Sequence, residues 1–295
     1  MLPNKLILCD ADILAYECSF AGQMKDKETG ELIILPFDYV ADDLLKKVRS
    51  MMDTLDTLFE PIMFLSGKEN FRNDIAKLKG YKANRDETHK PFHLENCRAY
   101  ITGRFSTYTS VGCEADDLLC IAQMESLRET GATPELARTV IATRDKDLRQ
   151  CMGWHYGWEV GNQPEYKLSW VDSLGTLTPI YSKKVLKNGE PSKAIDKLSG
   201  TGMKWFYAQL LIGDITDNIP GLPKCGKAKA YELINRCESE DEMYALCKEA
   251  YQEVYGDTWD KEMLEQAQLV WMIRERNKDG SLKHWELLDG SRKDS

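Results

Sequence analysis

The chain has 295 residues, of which 42% are hydrophobic and 29% charged, with a net charge of −9. That length and apolar content predict a stable globular protein of one large domain or two unequal ones. The longest apolar runs, such as 5–9 and 61–65, are far too short to cross a membrane, and the beginning of the chain lacks a signal peptide's basic start and long apolar core. A cytoplasmic location is therefore the expectation. Nine cysteines without CxxC pairs or His-Cys zinc spacing read as reduced thiols, with Cys9, Cys120 and Cys247 as core residues.

An acidic total argues against a phosphate-rich partner, but the charge is unevenly placed. Residues 66–104 hold nine Lys/Arg against five Asp/Glu, and 193–236 hold seven against four, while the rest carries −16. Two confined basic segments are what a nucleic-acid footprint requires. Solvated surface faces are the plainer alternative.

The apolar run Lys5-Leu6-Ile7-Leu8-Cys9 predicts a buried first strand ending at Asp10. Val40, Leu44, Leu45, Val48, Met51, Met52, Leu55 and Leu58 keep helical spacing, and Pro61-Ile62-Met63-Phe64-Leu65 follows as a second strand. Residues 80–113 interrupt the pattern with a long polar, basic and aromatic insertion (Tyr81, Lys82, Arg85, His89, Lys90, Phe92, His93, Arg98, Tyr100, Arg104). A helix is predicted from Glu114 to Glu129, with Leu118, Leu119, Ile121, Ala122 and Leu127 inward, then a parallel strand at Thr139-Val140-Ile141-Ala142. Short strands and turns fill 154–179, and a Lys/Gly/Ser-rich connector runs through 182–192. Beyond it, helices are predicted at 203–212, 226–236, 239–253 and 259–276. The first half is thus α/β with a parallel sheet, and the second helical.

Nine acids fall in four ordered clusters: Asp10 and Asp12; Glu114, Asp116 and Asp117; Asp145 and Asp147; Asp214 and Asp217. Each cluster begins where an apolar run ends or a helical pattern starts, so folding can gather them at one sheet edge. Like charges brought together need cations, and an all-oxygen donor set suits hard divalent ions such as Mg²⁺ or Mn²⁺ in two-metal phosphoryl chemistry. Each cluster also has a plainer reading. Asp10 and Asp12 suit a turn or helix cap, and Glu114-Ala115-Asp116-Asp117 suits the positive end of a helix, although three acids exceed what a cap needs. A second strand-then-DxD arrangement at Asp145 and Asp147 is harder to explain by turns alone. Gly213-Asp214-Ile215-Thr216-Asp217-Asn218-Ile219-Pro220-Gly221 and the following Lys224, Gly226, Lys227 and Lys229 form a glycine-rich loop opening a helix, suited to gripping a phosphate backbone. Tyr81-Lys82-Ala83-Asn84-Arg85 sets a ring able to stack on a base beside cations able to neutralise a phosphate. The four histidines form no metal pair, and no Walker loop, nucleophile elbow or dinucleotide fingerprint is present.

Taken in order, strand-DxD, Phe71-Arg72, YKANR (81–85), EADD (114–117), TRDKD (143–147) and GDITDNIPG (213–221) resemble the flap endonuclease and 5′-to-3′ exonuclease family, bacteriophage members most of all, over residues 5–236. The resemblance implies a PIN-like nuclease domain over 1–180, a helical arch formed by the 80–113 insertion, and a helix-three-turn-helix DNA-binding region over 193–290. By the same resemblance Asp10, Glu114, Asp116, Asp117, Asp145, Asp147, Asp214 and Asp217 match metal ligands, direct or through water. Lys82, Arg85 and Arg72 match catalytic cations near the scissile phosphate. Tyr81, Lys224, Gly226, Lys227 and Lys229 are expected at DNA. The family implies a monomer acting on DNA 5′ ends or flaps, with RNA–DNA hybrids as further substrates, two Mg²⁺ or Mn²⁺ ions and K⁺ at the helix-three-turn-helix loop. Three departures stand out. Ser66 occupies the neighbourhood of an expected acid after the second strand, Lys224 replaces the first glycine of the G-[IV]-G loop, and the arch segment is short. The competing readings are a haloacid-dehalogenase-like phosphatase, which Asp10-Asp12 and Gly213–Asp217 partly imitate, and a catalytically inactive DNA-binding module.

Overall fold

The computed structural model describes residues 5–84, 90–184, 192 and 194–288. Arg85 and His89 lie outside the described residues. The chain divides into two units, one comprising residues 1–70, 86–148 and 153–170, the other 71–85, 149–152 and 171–295.

The first unit is built on a six-stranded sheet in the order β5-β4-β1-β6-β7-β8, from Thr107–Thr109 (β5), Ile62–Leu65 (β4), Leu6–Asp10 (β1), Thr139–Ala142 (β6), Gly153–Gly157 (β7) and Tyr166–Val171 (β8). The pairs β5/β4, β4/β1, β1/β6 and β6/β7 are all parallel. All four residues of β6 are buried, as are four of the five in β1, because helices cover both faces. The side-chain alternation of a strand sorts them. Ile7 and Cys9, Met63 and Leu65, and Val140 and Ala142 join one cluster with Leu14 and Cys18 of α1 (Ala11–Ala21), Val40, Leu44 and Met51 of α2 (Phe37–Thr54), and Cys97 and Ile101 of α4 (Leu94–Arg104). Leu8, Phe64 and Ile141 point to the opposite face, where α5 (Ala115–Thr130) crosses β4, β1, β6 and β7. The α/β class and the parallel sheet expected from the sequence are borne out.

Some details differ. In α5, Leu118 and Ala122 are only half-buried, while Cys120 and Gln123 are buried. Gln123 is tolerated there because its amide donates to the Trp154 carbonyl and accepts from the Thr139 hydroxyl. Part of the basic insertion is integral to the layers, since α4 packs on α1 and β5 extends the sheet. A hairpin of β2 (Gln23–Lys25) and β3 (Leu32–Ile34) was not foreseen.

The second unit holds the short α3 (Arg72–Ile75), an antiparallel ribbon of β9 (Leu177–Tyr181) and β10 (Ile195–Gly200), and four helices: α6 (Gly202–Ile212), α7 (Lys227–Ile234), α8 (Glu240–Tyr255) and α9 (Trp259–Val270). Trp205, Phe206, Tyr207, Met243, Tyr251 and Met263 centre its core. The last helix stops at Val270 rather than 276, because Trp271 turns extended at ψ 129°. Arg72 closes that end. Its fully buried guanidinium donates to the carbonyls of Leu269 (3.1 Å) and Trp271 (2.6 Å) and stacks on Phe71.

Gly213 and Gly221 bring the two ends of the α6–α7 loop into backbone contact. Both have positive φ, at 71° and 68°, and a Cβ on Gly221 would lie 2.3 Å from the Gly213 amide nitrogen. The Gly221→Ala substitution is expected to destabilise the protein by about 2–4 kcal/mol, since backbone atoms cannot yield as a flexible side chain would. Urea unfolding followed by circular dichroism checks this, and a loss below about 0.5 kcal/mol would show that the contact relaxes freely.

Candidate active site

The order β4-β1-β6 makes β1 a switch point, where the chain departs to one side first and to the other later; ligands of open α/β sheets bind outside such carboxyl ends. Asp10 is the last residue of β1 and also the N-cap of α1. It is 2% exposed. One carboxylate oxygen accepts from the Ile13 amide (3.2 Å) and the other from the Thr143 hydroxyl (2.7 Å). The same hydroxyl accepts from the Asp145 amide (2.9 Å), and Asp145 in turn accepts from the Asp147 amide (2.8 Å). The two DxD segments that end β1 and β6 are thereby linked through Thr143. Burial raises the Asp10 pKa to about 7 against the two hydrogen bonds that lower it, and the charges of Asp12 and Asp145 push the same way as burial.

Asp12 has another duty. It pairs with Arg98 and accepts from the Ser66 amide (2.7 Å), while Arg98 also donates to the Ser66 carbonyl (2.5 Å). The Ser66 hydroxyl accepts from the Ala115 amide (3.0 Å) in the first turn of α5. Where an acid was expected, serine therefore ties β4 to α1, α4 and α5. Glu114 and Asp117 form a reciprocal capping box, the plainer of the two roles read for them, with the Glu114 amide 3.1 Å from Asp117, which is fully buried. Asp116 is half-buried in the same turn, and Asp147 is paired with the exposed Lys146 (2.8 Å). Arg144 is structural, donating to Gly157 and Pro164 carbonyls and to Gln163.

In the second unit the loop 213–226 is highly ordered by its own bonds. Asp214 and Ile219 exchange backbone hydrogen bonds of 2.8–2.9 Å, and the Asp214 carboxylate accepts from the Thr216 amide (2.8 Å). Asp217 accepts from the Tyr81 hydroxyl (3.0 Å) and lies 3.7 Å from the Lys82 ammonium. Tyr81 is 8% exposed and packs in the helical core, so its ring is not displayed as a stacking platform. Arg72 is likewise committed to the carbonyls ending α9. Lys224 occupies the left-handed region at φ 62°, the conformation the missing glycine would favour. Gly226 caps α7 without a side-chain bond, at an exposed helix start beside exposed Lys224 and Lys229, while Lys227 donates to the Asp196 carbonyl (2.6 Å). Asn84 and Asn218, which the sequence reading did not use, bond this loop to the 80–84 segment.

The donor set suits a hard cation: the groups at the β1 and β6 ends are carboxylates, and the charge of Asp145 adds to the burial that disfavours ionised Asp10. Among the described residues no three His, Cys, Asp or Glu side chains stand together as a group able to hold a metal ion by themselves. The fit thus lies in the Asp10–Asp145 pair rather than in a closed cage.

No protein-family model matches the chain. Curated relatives do. DNA polymerase I of Deinococcus radiodurans is 24% identical over 249 residues, 82% of this chain. The 5′-3′ exonuclease of Buchnera aphidicola subsp. Acyrthosiphon pisum is 25% identical over 246 residues, again 82% of this chain. The chain spans 22% of the polymerase's length and 73% of the exonuclease's. Among solved structures, the bacteriophage T5 D15 flap endonuclease, in a complex with DNA and metal ions, aligns over 90% of this chain and 98% of its own, at 15% identity and a TM-score of 0.49. The chain is a relative of proteins named 5′-3′ exonuclease and DNA polymerase I, which bears out the resemblance carried by its motifs.

Asp10 gives a pH prediction. Its folded pKa, about 7, lies above the ordinary 3.8, so the stability linked to its protonation is fully present below about pH 4 and is lost as pH rises through 7. In metal-free buffer, Asp10→Asn is expected to raise stability at pH 8 by about 1–3 kcal/mol and to have little effect at pH 4. Urea titrations at the two pH values measure the difference; a destabilised asparagine variant at pH 8 would contradict a buried, unneutralised charge.

Proposed function

We propose that the protein is a divalent-metal-dependent 5′-to-3′ exonuclease and flap endonuclease that hydrolyses DNA phosphodiester bonds. The observation that carries the reading is the buried Asp10 joined through Thr143 to Asp145 across neighbouring strand ends, an arrangement that invites a cation. Relatives named 5′-3′ exonuclease and DNA polymerase I support it. Asp10 and Asp145 would hold the ions, with Glu114, Asp116, Asp117 and Asp147 in or behind the same set. Bound Mg²⁺ or Mn²⁺ would activate water and stabilise the leaving oxygen. The protein's own share is electrostatic and positional. Thr143 fixes Asp10 in one orientation, the Asp12–Arg98 pair and Ser66 hold the strand ends, and burial keeps bulk water from Asp10.

The helical unit supplies the DNA grip. The exposed helix start at Gly226, with Lys224, Lys227 and Lys229, suits successive backbone phosphates without reading sequence. Asp214 and Asp217, the remaining acids matched to ligands, belong to this loop, and K⁺ is the proposed occupant of its turn. Lys82 and Arg85 would offset charge on the phosphate under attack. The PIN-like domain over 1–180, the arch within 80–113 and the helix-three-turn-helix region over 193–290 complete the proposal. So do action by a monomer on DNA 5′ ends, flaps and RNA–DNA hybrids, 5′-phosphate products, and a role in phage DNA replication in the host cytoplasm. Among the described residues no helix is long and apolar enough to cross a membrane.

Incubation with a 5′-labelled flap, a blunt duplex and an RNA–DNA hybrid, with and without Mg²⁺, tests the reading. Metal-dependent release of labelled mono- or oligonucleotides is expected; a phosphatase would remove only a terminal label, and an inactive binder would leave the strand whole. Asp145→Ala is expected to lower cleavage by at least about 10³-fold with flap binding retained, and an active variant would remove Asp145 from the hydrolytic set.

A further inference from the structure

Lys82 stands in the left-handed region at φ 53°, an arrangement that is costly for a side chain with a Cβ. Three hydrogen bonds hold it there. The Lys82 amide donates to the Asp217 carbonyl (2.9 Å). Two residues before it, the Gly80 carbonyl accepts from the side-chain amide of Asn218 (2.8 Å). Two residues after it, the side-chain amide of Asn84 donates to the Ile215 carbonyl (2.8 Å). The two asparagines thus reach in opposite directions, one from each segment, and bracket the lysine symmetrically. Asn218 itself has φ 61°, a conformation that asparagine tolerates better than most residues. The partners are all in one turn, which the reciprocal Asp214–Ile219 backbone pair closes. The backbone so held places the Lys82 ammonium 3.7 Å from the Asp217 carboxylate.

We infer that Asn84 and Asn218 are positioning residues for phosphodiester cleavage, acting through Lys82. The inference rests on the nuclease reading and on the charge-balancing role of Lys82 within it. A surface lysine on a free segment samples many rotamers and loses entropy when it meets a phosphate; here the backbone beneath it is already held by the bonds to 215, 217 and 218. Ile215, 88% exposed between these anchors, is held by hydrogen bonding at its carbonyl, while Ile219 packs the far end of the turn into the core.

The test is single-turnover and steady-state cleavage of the 5′-labelled flap with Mg²⁺ by wild type, Lys82→Ala, Asn84→Ala, Asn218→Gly and the double variant Lys82→Ala/Asn84→Ala. Glycine at 218 keeps the positive φ while removing the amide. Each asparagine variant is expected to lose about 10–100-fold in kcat with KM changed less than about 3-fold, and the double variant to be no slower than Lys82→Ala alone. Urea unfolding reports the fold of each, and Asn84, being exposed, keeps the test open should Asn218→Gly fold poorly. Wild-type rates in both asparagine variants beside a slow Lys82→Ala would overturn this inference alone, as would losses that multiply with that of Lys82. A fully active Lys82→Ala overturns the role of the lysine and the inference with it. A wild-type protein that cleaves no flap overturns the nuclease reading.

Discussion

A carboxylate enclosed at the end of a parallel strand sets the terms for the first unit. Asp10 could satisfy its oxygens by pointing to water, yet β1 is central and covered on both faces, so the side chain that follows Cys9 is held inside. Its two oxygens are used by Ile13 and Thr143, one bond starting α1 and the other joining β6. The first caps a helix and the second fixes the neighbouring strand's exit. A residue that looks expensive in isolation thereby organises the switch point, and the remaining electrostatic cost is the property that a cation would relieve.

The helical unit adds backbone hydrogen bonding to apolar packing at its 213–226 loop. Helix α6 is buried nearly throughout, α7 through α9 enclose it, and the 213–226 connection joins that core through Ile219, Leu222 and Cys225 while its ends meet at glycine contacts. Gln266 of α9 reaches into this base and accepts from the Gly221 amide at 3.0 Å, while Arg72 and Gln150 bond the carbonyls near the end of the same helix. Buried polar side chains at these places satisfy backbone groups that a turn and a helix terminus would otherwise leave unpaired.

What could be read from the sequence followed the strength of the periodic signal. The three central strands and the long helix before β4 were legible because runs such as Ile7-Leu8-Cys9 and the Val40–Met51 spacing admit one reading. The Leu94–Arg104 helix was not, since its polar face and aromatic neighbours hide the two residues, Cys97 and Ile101, that bury it. The acid clusters were visible as clusters, but their division of labour was not. Asp12 acquires Arg98 from 86 residues away, and Tyr81 becomes a core residue bonded to Asp217, contacts created only by folding. The end of α9 also escaped, because the apolar residues continue past Val270 in extended backbone, where they still pack on the core.

Serine in place of an acid at position 66 changes the charge balance of the sheet edge. An aspartate there would add a negative charge to a segment whose backbone Asp12 and Arg98 already hold. Serine removes one negative charge, lets Arg98 neutralise Asp12, and gives its hydroxyl to the opening turn of α5. The side of the edge toward β4 is therefore locally compensated, whereas on the side toward β6 burial and the charges of Asp12 and Asp145 still weigh on Asp10. A counter-charge placed near the end of β1 would relieve that repulsion most directly.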